Sequence, residues 1–130
     1  MLDTATASYV IRNRSADIAA KFSAIDPHAL CVSAVTTAEL LYGLKRVAPA
    51  HLLHIALARF LALVPALDWT AAAAAEYAGI RHTLSSIGQP IGQLDMMIAA
   101  HALAVGAILV TCNRRHFGRI GAPLQIVTWV

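Results

Sequence analysis

The chain has 130 residues, of which 58% are hydrophobic and 13% are charged, with a formal net charge of +3. This length predicts a single domain over residues 1–130, and the hydrophobic content excludes intrinsic disorder for most of the chain. Two cysteines, Cys31 and Cys112, are too few for a disulfide scaffold or a zinc finger, and we expect both thiols to be reduced.

The first predicted elements are short and alternate between strand and helix. Residues 1–4 indicate a very short strand that ends at Asp3, and residues 5–13 have a helical composition. Ser15 can cap a second helix that runs to about residue 24. After a turn, the continuous apolar run ALCVS at 29–33 is typical of a strand buried on both faces.

Helix signals dominate the middle of the chain. Ser33 or Thr36 can cap one helix, and Pro49 can occupy the first position of the next. Thr70 is a good N-cap for an alanine-rich segment. The predicted elements are a helix over 33–46, a helix over about 50–63, a short strand over 64–68 and a helix over about 70–87.

The last part of the chain contains the longest uncharged stretch, residues 96–113. A membrane-spanning helix needs about 20 mostly apolar residues. The polar residues and Gly106 within this stretch favour a buried helix, a glycine break and a buried strand instead. The predicted elements are a loop over 89–93, a helix over 94–105, a strand over 107–111, a short helix over 113–119 and a strand over 124–128.

Strands therefore alternate with helices throughout the sequence. This order favours an α/β fold with a mainly parallel sheet of short strands and helices on both faces. The sequence begins MLDTAT without a basic stretch, so we expect neither a signal peptide nor a membrane segment, and a cytoplasmic location.

Three acidic residues stand in apolar surroundings: Asp3, Glu39 and Asp95. Asn113 follows the strand predicted over 107–111. Ligands of open α/β sheets bind at the carboxyl ends of the strands, where these four side chains could converge. Mutually repelling carboxylates would be stabilised by a hard divalent cation such as Mg²⁺. Taken singly, Asp95 could equally be a favourable charge at the start of its helix.

Four stretches carry a resemblance to a known family. They are LDT at 2–4, SAVTTAELLYG at 33–43, PIGQLDMMIAAHA at 90–102 and LVTCNRRHF at 109–117. In this order they resemble the motifs LDTN, S-x-x-T-x-x-E-L-x-x-G, P-I-G-x-x-D-x-x-I-A-A-H-A and L-V-T-x-N-x-x-x-F of VapC-type PIN-domain ribonuclease toxins.

The resemblance implies a PIN-like three-layer fold and a bacterial type II toxin that cleaves RNA, such as tRNA, with Mg²⁺ or Mn²⁺. It implies metal binding by Asp3, Glu39 and Asp95, with Asn113 as a fourth catalytic position and Thr4 and Thr111 in support. It also implies a homodimer and a cognate antitoxin. The C-terminal segment of that antitoxin would cover the acidic site and place an Arg or Lys among the carboxylates.

One departure from the motifs keeps an alternative open. Ala5 stands where family members usually carry Asn, so a catalytically silent binding module of the same fold is the second reading. A phosphoacceptor signalling domain is discounted. It would need a pair of acidic residues after the first strand and a lysine after the last strand, and this sequence has neither.

The remaining candidates are more weakly specified. A basic group, Arg114, Arg115 and Arg119 together with His116, can contact RNA or antitoxin, or can be a solvated face. We expect His101 to be a buried or supporting residue rather than a metal ligand. The simplest role for three aromatic residues is packing: Tyr42, Trp69 and Trp129.

Overall fold

The computed structural model describes residues 1–129. Its helices are α1 (Thr4–Arg12), α2 (Ala16–Ser23), α3 (Ala34–Lys45), α4 (Leu53–Leu63), α5 (Ala71–Ser86), α6 (Gln93–Val105) and α7 (Arg114–Phe117). Its strands are β1 (Val32–Ser33), β2 (Ala66–Leu67), β3 (Leu109–Thr111) and β4 (Ile126–Thr128). The predicted order of elements is confirmed, although the strands are shorter than the apolar runs that contain them.

The extended residue Leu2 lies at the centre of a parallel sheet. It forms bridges to Val32 of β1 on one side and to Val110 of β3 on the other. β1 also pairs with β2, and β3 pairs with β4, in both cases in parallel. The lateral order is therefore β2, β1, Leu2, β3, β4. Since all strands run in one direction, their carboxyl ends share one edge of the sheet.

Two clusters of apolar side chains cover the two faces of this sheet. Side chains alternate between faces along a strand. Met1 and Leu109 accordingly belong to a cluster with α5 and α6, whereas Leu2 and Val110 belong to a cluster with α1, α2 and α4. The predicted three-layer α/β arrangement, with a sheet between two helical layers, is confirmed.

At two of the predicted boundaries that are wrong, local hydrogen bonds override the apolar pattern. Residues 27–29 form a 3₁₀ turn, in which the Asp26 side chain accepts from the His28 N–H over 2.9 Å, so only Val32–Ser33 pair as a strand. The helix predicted from residue 50 begins at Leu53. His51 Nδ1 accepts the Leu53 N–H over 3.0 Å, and a turn precedes it.

The predicted caps have mixed outcomes. Ser15 and Ser33 accept hydrogen bonds from the first turns of α2 and α3, as expected. Thr70 occupies the N-cap of α5 but makes no capping hydrogen bond with its side chain. Gly106 ends α6 in a left-handed conformation with φ of 67°. This conformation favours glycine, which has no Cβ to clash with the backbone.

The aromatic residues also differ from one another. Trp129 is buried, and the Trp69 Nε1–H donates to the Met97 carbonyl over 3.0 Å, so both pack as predicted. Tyr42 is 67% exposed, so its predicted packing role is wrong. Among residues 1–129, no helix is long and apolar enough to cross a membrane. The uncharged stretch 96–113 instead divides into α6, Gly106 and β3, as predicted.

Candidate active site

Asp3 lies at the carboxyl end of the central extended segment and is only 2% exposed. Its backbone N–H donates to the Val110 carbonyl over 3.0 Å. Its Oδ1 accepts the Thr6 N–H over 2.7 Å, which caps α1, and its Oδ2 accepts the Thr111 hydroxyl over 2.5 Å. One donor belongs to the start of α1 and the other to β3, and together they fix the orientation of the buried carboxylate. Both donors are neutral.

Thr111 connects Asp3 to the loop that carries Asn113. The Thr111 hydroxyl also accepts the Asn113 backbone N–H over 2.8 Å. Asn113 is exposed and caps α7, where its Oδ1 accepts the His116 N–H over 3.3 Å. The Asn113 side-chain oxygen is therefore engaged by its own helix rather than directed at Asp3.

Glu39 approaches the same edge of the sheet from α3. The hydroxyl of Thr4, the residue after Asp3, donates to Oε2 of Glu39. The same hydroxyl lies 3.3 Å from the Oγ1 of Thr36, which is fully buried one turn earlier in α3. Thr4 therefore joins the first turn of α1 to the Glu39 side of α3.

Asp95 lies in the first turn of α6 and is about one-third exposed. Its Oδ2 is 2.9 Å from Nδ1 of His116. Burial raises the pKa of Asp95 above its ordinary value of 3.8, the charge of His116 opposes that shift, and the charge of Asp3 adds to it. Asp3 and Asp95 are therefore close enough to repel each other.

His116 was assigned to the basic group by sequence, but its pairing with Asp95 was not predicted. Its position three residues after Asn113 places it in the first turn of α7, beside the acidic residues. The sequence did place this histidine close to the site, because it directly precedes Phe117 in the last motif. Nothing in the spacing, however, identified Asp95 as its partner.

The arginines of the basic group divide into two kinds. Arg119 donates to the Pro90 carbonyl over 3.2 Å and so contacts the loop that leads into α6. Arg114 and Arg115 are exposed at the start of α7, and neither forms a salt bridge within residues 1–129. Their charges remain available to an anionic partner beside Asp95.

The acidic residues supply the oxygen donors that Mg²⁺ and Mn²⁺ prefer, and a cation would offset the repulsion between Asp3 and Asp95. Within residues 1–129, no three Asp, Glu, His or Cys side chains are already grouped as a metal cage. Glu39 and Asp95 are instead held by Thr4 and His116, each through one oxygen, Oε2 of Glu39 and Oδ2 of Asp95, so a cation would have to bring the carboxylates together. That the three acids share one cation stays a prediction.

Two recesses flank Glu39 and together form one groove. A recess of about 120 Å³ between α1, α3 and α4 includes Ile11, Arg12 and Leu57. A wider, mostly apolar recess of about 660 Å³ between α3 and α6 includes Tyr42 and Arg46. The residues common to both recesses are Thr4, Glu39 and Gly43.

Comparison with known proteins identifies one family. The model of the PIN domain matches residues 1–123. The tRNA(fMet)-specific endonuclease VapC of Shigella flexneri is 36% identical over 129 residues, which cover 99% of this chain and 96% of that protein. Ribonuclease VapC2 of Haemophilus influenzae is 38% identical over 130 residues, covering 100% of this chain and 97% of that protein.

Solved structures agree with this result. The crystal structure of DNA-bound VapBC from Salmonella typhimurium superposes with a TM-score of 0.91 at 33% identity, covering 100% of this chain and 97% of the other. The crystal structure of VapBC2 from Rickettsia felis, bound to a DNA fragment from their promoter, also gives 0.91, at 29% identity, and covers 100% and 98%.

Proposed function

Because the chain belongs to the PIN domain family and resembles ribonucleases named VapC over its whole length, we propose that it is an endoribonuclease. It acts as the toxin of a bacterial type II toxin–antitoxin pair. The observation that carries the proposal is the pair Asp3 and Asp95. Two carboxylates from separate elements repel each other at the carboxyl edge of a parallel sheet, and Glu39 accepts a hydrogen bond from Thr4, the residue after Asp3.

Asp3, Glu39 and Asp95 are the residues that would hold Mg²⁺ or Mn²⁺. When bound, the ion supplies Lewis-acid activation of water and neutralises charge on the phosphodiester. Thr111 and the Thr6 N–H hold the Asp3 carboxylate in one orientation.

Other residues position Asp95 or bind the phosphate groups of the substrate. His116 positions Asp95, and Asn113 occupies the fourth position of the site. Arg114 and Arg115 are exposed beside Asp95 and bind the RNA phosphates, or an acidic part of the antitoxin. Arg119 follows α7 and is already bonded to the carbonyl of Pro90 in the loop before α6, so it contributes to this surface from the turn after α7.

The substrate is RNA, and structured RNA such as tRNA is the first candidate to test. One similar protein is named a tRNA(fMet)-specific endonuclease, which motivates the choice. A toxin that acts on cellular RNA works in the cytoplasm, which is the location that we propose.

The partner is a cognate antitoxin, since the similar solved structures are VapBC complexes. We assign its inhibitory segment to the groove beside Glu39, whose walls combine apolar side chains with Arg12 and Arg46. An Arg or Lys of that segment would enter between the acidic residues and replace the cation.

A homodimer completes the proposal. Four large apolar side chains remain exposed outside the groove, on α3 and at or near α4, and they provide a surface for a second copy: Leu41, Leu52, Ile55 and Leu63.

The deciding experiment incubates the purified chain with end-labelled tRNA in Mg²⁺, in Mn²⁺ and in EDTA, with Asp3→Asn as the matched control. We expect cleavage only by the unsubstituted chain with a divalent ion. Ion binding without cleavage by either version would replace the proposal with the catalytically silent binding module.

A further inference from the structure

A polar pair lies fully buried between α3 and α6. His101 Nδ1 is 2.8 Å from Ser33 Oγ, and neither residue has any exposed surface. The neighbours of His101 in α6 are apolar and equally buried, including Ile98 and Ala102. The proposed cleavage gives this pair no task.

Two tautomers of the His101 ring are compatible with a hydrogen bond to Ser33. Ser33 Oγ already accepts the Val35 N–H over 3.1 Å, so its own proton is free to donate to His101 Nδ1. The ring proton then lies on Nε2; in the other tautomer Nδ1–H donates to Ser33 Oγ instead, and in both cases Nε2 is buried without a partner within the described residues. Burial lowers the pKa of His101, against the opposing charge of Asp68, so the ring is neutral.

Packing alone does not explain a histidine at this position. A buried ring nitrogen without a hydrogen-bond partner costs free energy, and an apolar side chain of similar volume would avoid that cost. The hydrogen bond to Ser33 is what only a polar side chain provides here.

This hydrogen bond connects the helices that carry two of the acidic residues. Ser33 is the N-cap of α3, the helix of Thr36 and Glu39. His101 follows Asp95 in α6. Two further side chains of the site, Asp3 and Thr111, lie on the central segment and on β3. The bond between Ser33 and His101 is thus a direct polar connection between the α3 and α6 sides of the site.

We propose that His101 is a positioning residue, which acts through Ser33 to set the distance between Glu39 and Asp95 and thereby their capacity to share one divalent cation. This inference rests on the proposed function, because it assigns the cation to those acids. His101 itself contacts neither the cation nor the RNA.

Two amide variants separate the hydrogen bond from the bulk of the ring. His101→Asn keeps a polar atom near the position of Nδ1, whereas His101→Gln carries its amide near the position of Nε2. Ser33→Gly removes the hydroxyl from the other side and keeps a residue that is tolerated at an N-cap. Ile98→Ala is the matched control, since it opens space in the same buried helix without touching Ser33.

The measurements are Mn²⁺ affinity by titration calorimetry, kcat and KM for tRNA cleavage, and the melting temperature. We expect His101→Gln and Ser33→Gly to weaken Mn²⁺ binding about 10-fold, the effect typical of residues that orient metal ligands. We expect kcat to fall with little change in KM. His101→Asn should retain most of the affinity, and Ile98→Ala should lower the melting temperature alone.

Wild-type Mn²⁺ affinity and kcat in both His101→Gln and Ser33→Gly would overturn the positioning role. An equal loss of Mn²⁺ affinity in Ile98→Ala would do the same. If His101→Gln does not fold, Ser33→Gly and His101→Asn still decide the question. A chain that binds Mn²⁺ but cuts no RNA overturns the proposed function alone, whereas a chain that binds no Mn²⁺ overturns both.

Discussion

The hydroxyl of Thr111 donates a hydrogen bond of 2.5 Å to Oδ2 of Asp3, across 108 residues of sequence. Because Asp3 is almost fully buried, this bond replaces water as a partner of the carboxylate. The same hydroxyl accepts the Asn113 N–H, so one side chain orders two positions of the proposed site.

Thr111→Val removes the hydroxyl but keeps the shape of the side chain, so it should impair the site without a change in packing. We expect Mn²⁺ affinity and RNA cleavage to fall by about 10- to 100-fold. We also expect the free energy of unfolding to decrease by about 1–3 kcal/mol, because a buried acceptor loses its donor. Calorimetric titration, cleavage assays and urea unfolding measure these effects. Thr111→Ser, which keeps the hydroxyl, is the control, and equal losses in both variants would contradict the explanation.

Asp95→Asn should abolish cleavage and leave the fold intact. We expect a loss of more than roughly 100-fold, since even residues that only orient metal ligands change activity by about 10- to 100-fold. An active variant, assayed on the same tRNA, would remove Asp95 from the proposed site.

The same variant has a defined dependence of stability on pH. The raised pKa of Asp95 means that the fold favours its protonated form, so its contribution to stability is greatest below 3.8 and is lost as the pH rises through the raised pKa. In buffer without divalent ions, the stability of Asp95→Asn relative to the unsubstituted chain should therefore increase from acidic to neutral pH. Urea unfolding at several pH values measures it, and a constant difference would be evidence against the burial and repulsion described.

Gly43 follows Glu39 by one helical turn and lies in the wall of the groove. A Cβ at this position would meet no atom within 4 Å, so the fold itself does not require glycine. Gly43→Ala should raise the free energy of unfolding by up to about 1 kcal/mol.

Gly43→Leu should fold but fill the groove. We expect it to bind the antitoxin at least about 10-fold more weakly, because the leucine occupies space that the antitoxin segment needs. This factor corresponds to about 1.4 kcal/mol of binding free energy. Surface plasmon resonance against the purified antitoxin measures the change, with Gly43→Ala as the smaller control. Undiminished affinity in Gly43→Leu would exclude this groove as the antitoxin site.

The apolar surface near α4 predicts a dimer that one charge can weaken. Ile55 is 53% exposed there, and Ile87, which is 55% exposed after α5, provides a matched control. We expect Ile55→Glu to shift the protein to monomer at micromolar concentration in light scattering, and Ile87→Glu to leave the dimer unchanged. A monomeric unsubstituted chain would refute the homodimer.

Ala5→Asn tests the departure from the family motif. Ala5 is exposed in the first turn of α1, two residues after Asp3, so an Asn side chain at this position can extend into solvent. If that amide orders the acidic loop, Mn²⁺ binding should tighten or cleavage should accelerate, by up to about 10-fold. Equal affinity and equal rates in the two versions would make position 5 neutral in this chain.

The sequence alone determined the succession of helices and strands, because caps and apolar periodicity act over a few neighbouring residues. Ser15, Ser33 and Gly106 begin or end helices as their chemistry predicts. The motifs likewise identified the family, and they predicted the acidic residues of the proposed site. Boundaries were less accurate where a single side chain, such as that of His51, redirected a backbone N–H.

Only the tertiary structure decided which polar groups meet. The bonds between Thr111 and Asp3, between His101 and Ser33 and between His116 and Asp95 join segments far apart in the chain. Their formation depends on the lateral order of the parallel strands and on how α3, α6 and α7 pack against them. Local propensity contains no information about these distances, and for the same reason the exposure of Tyr42 in the groove was not predicted.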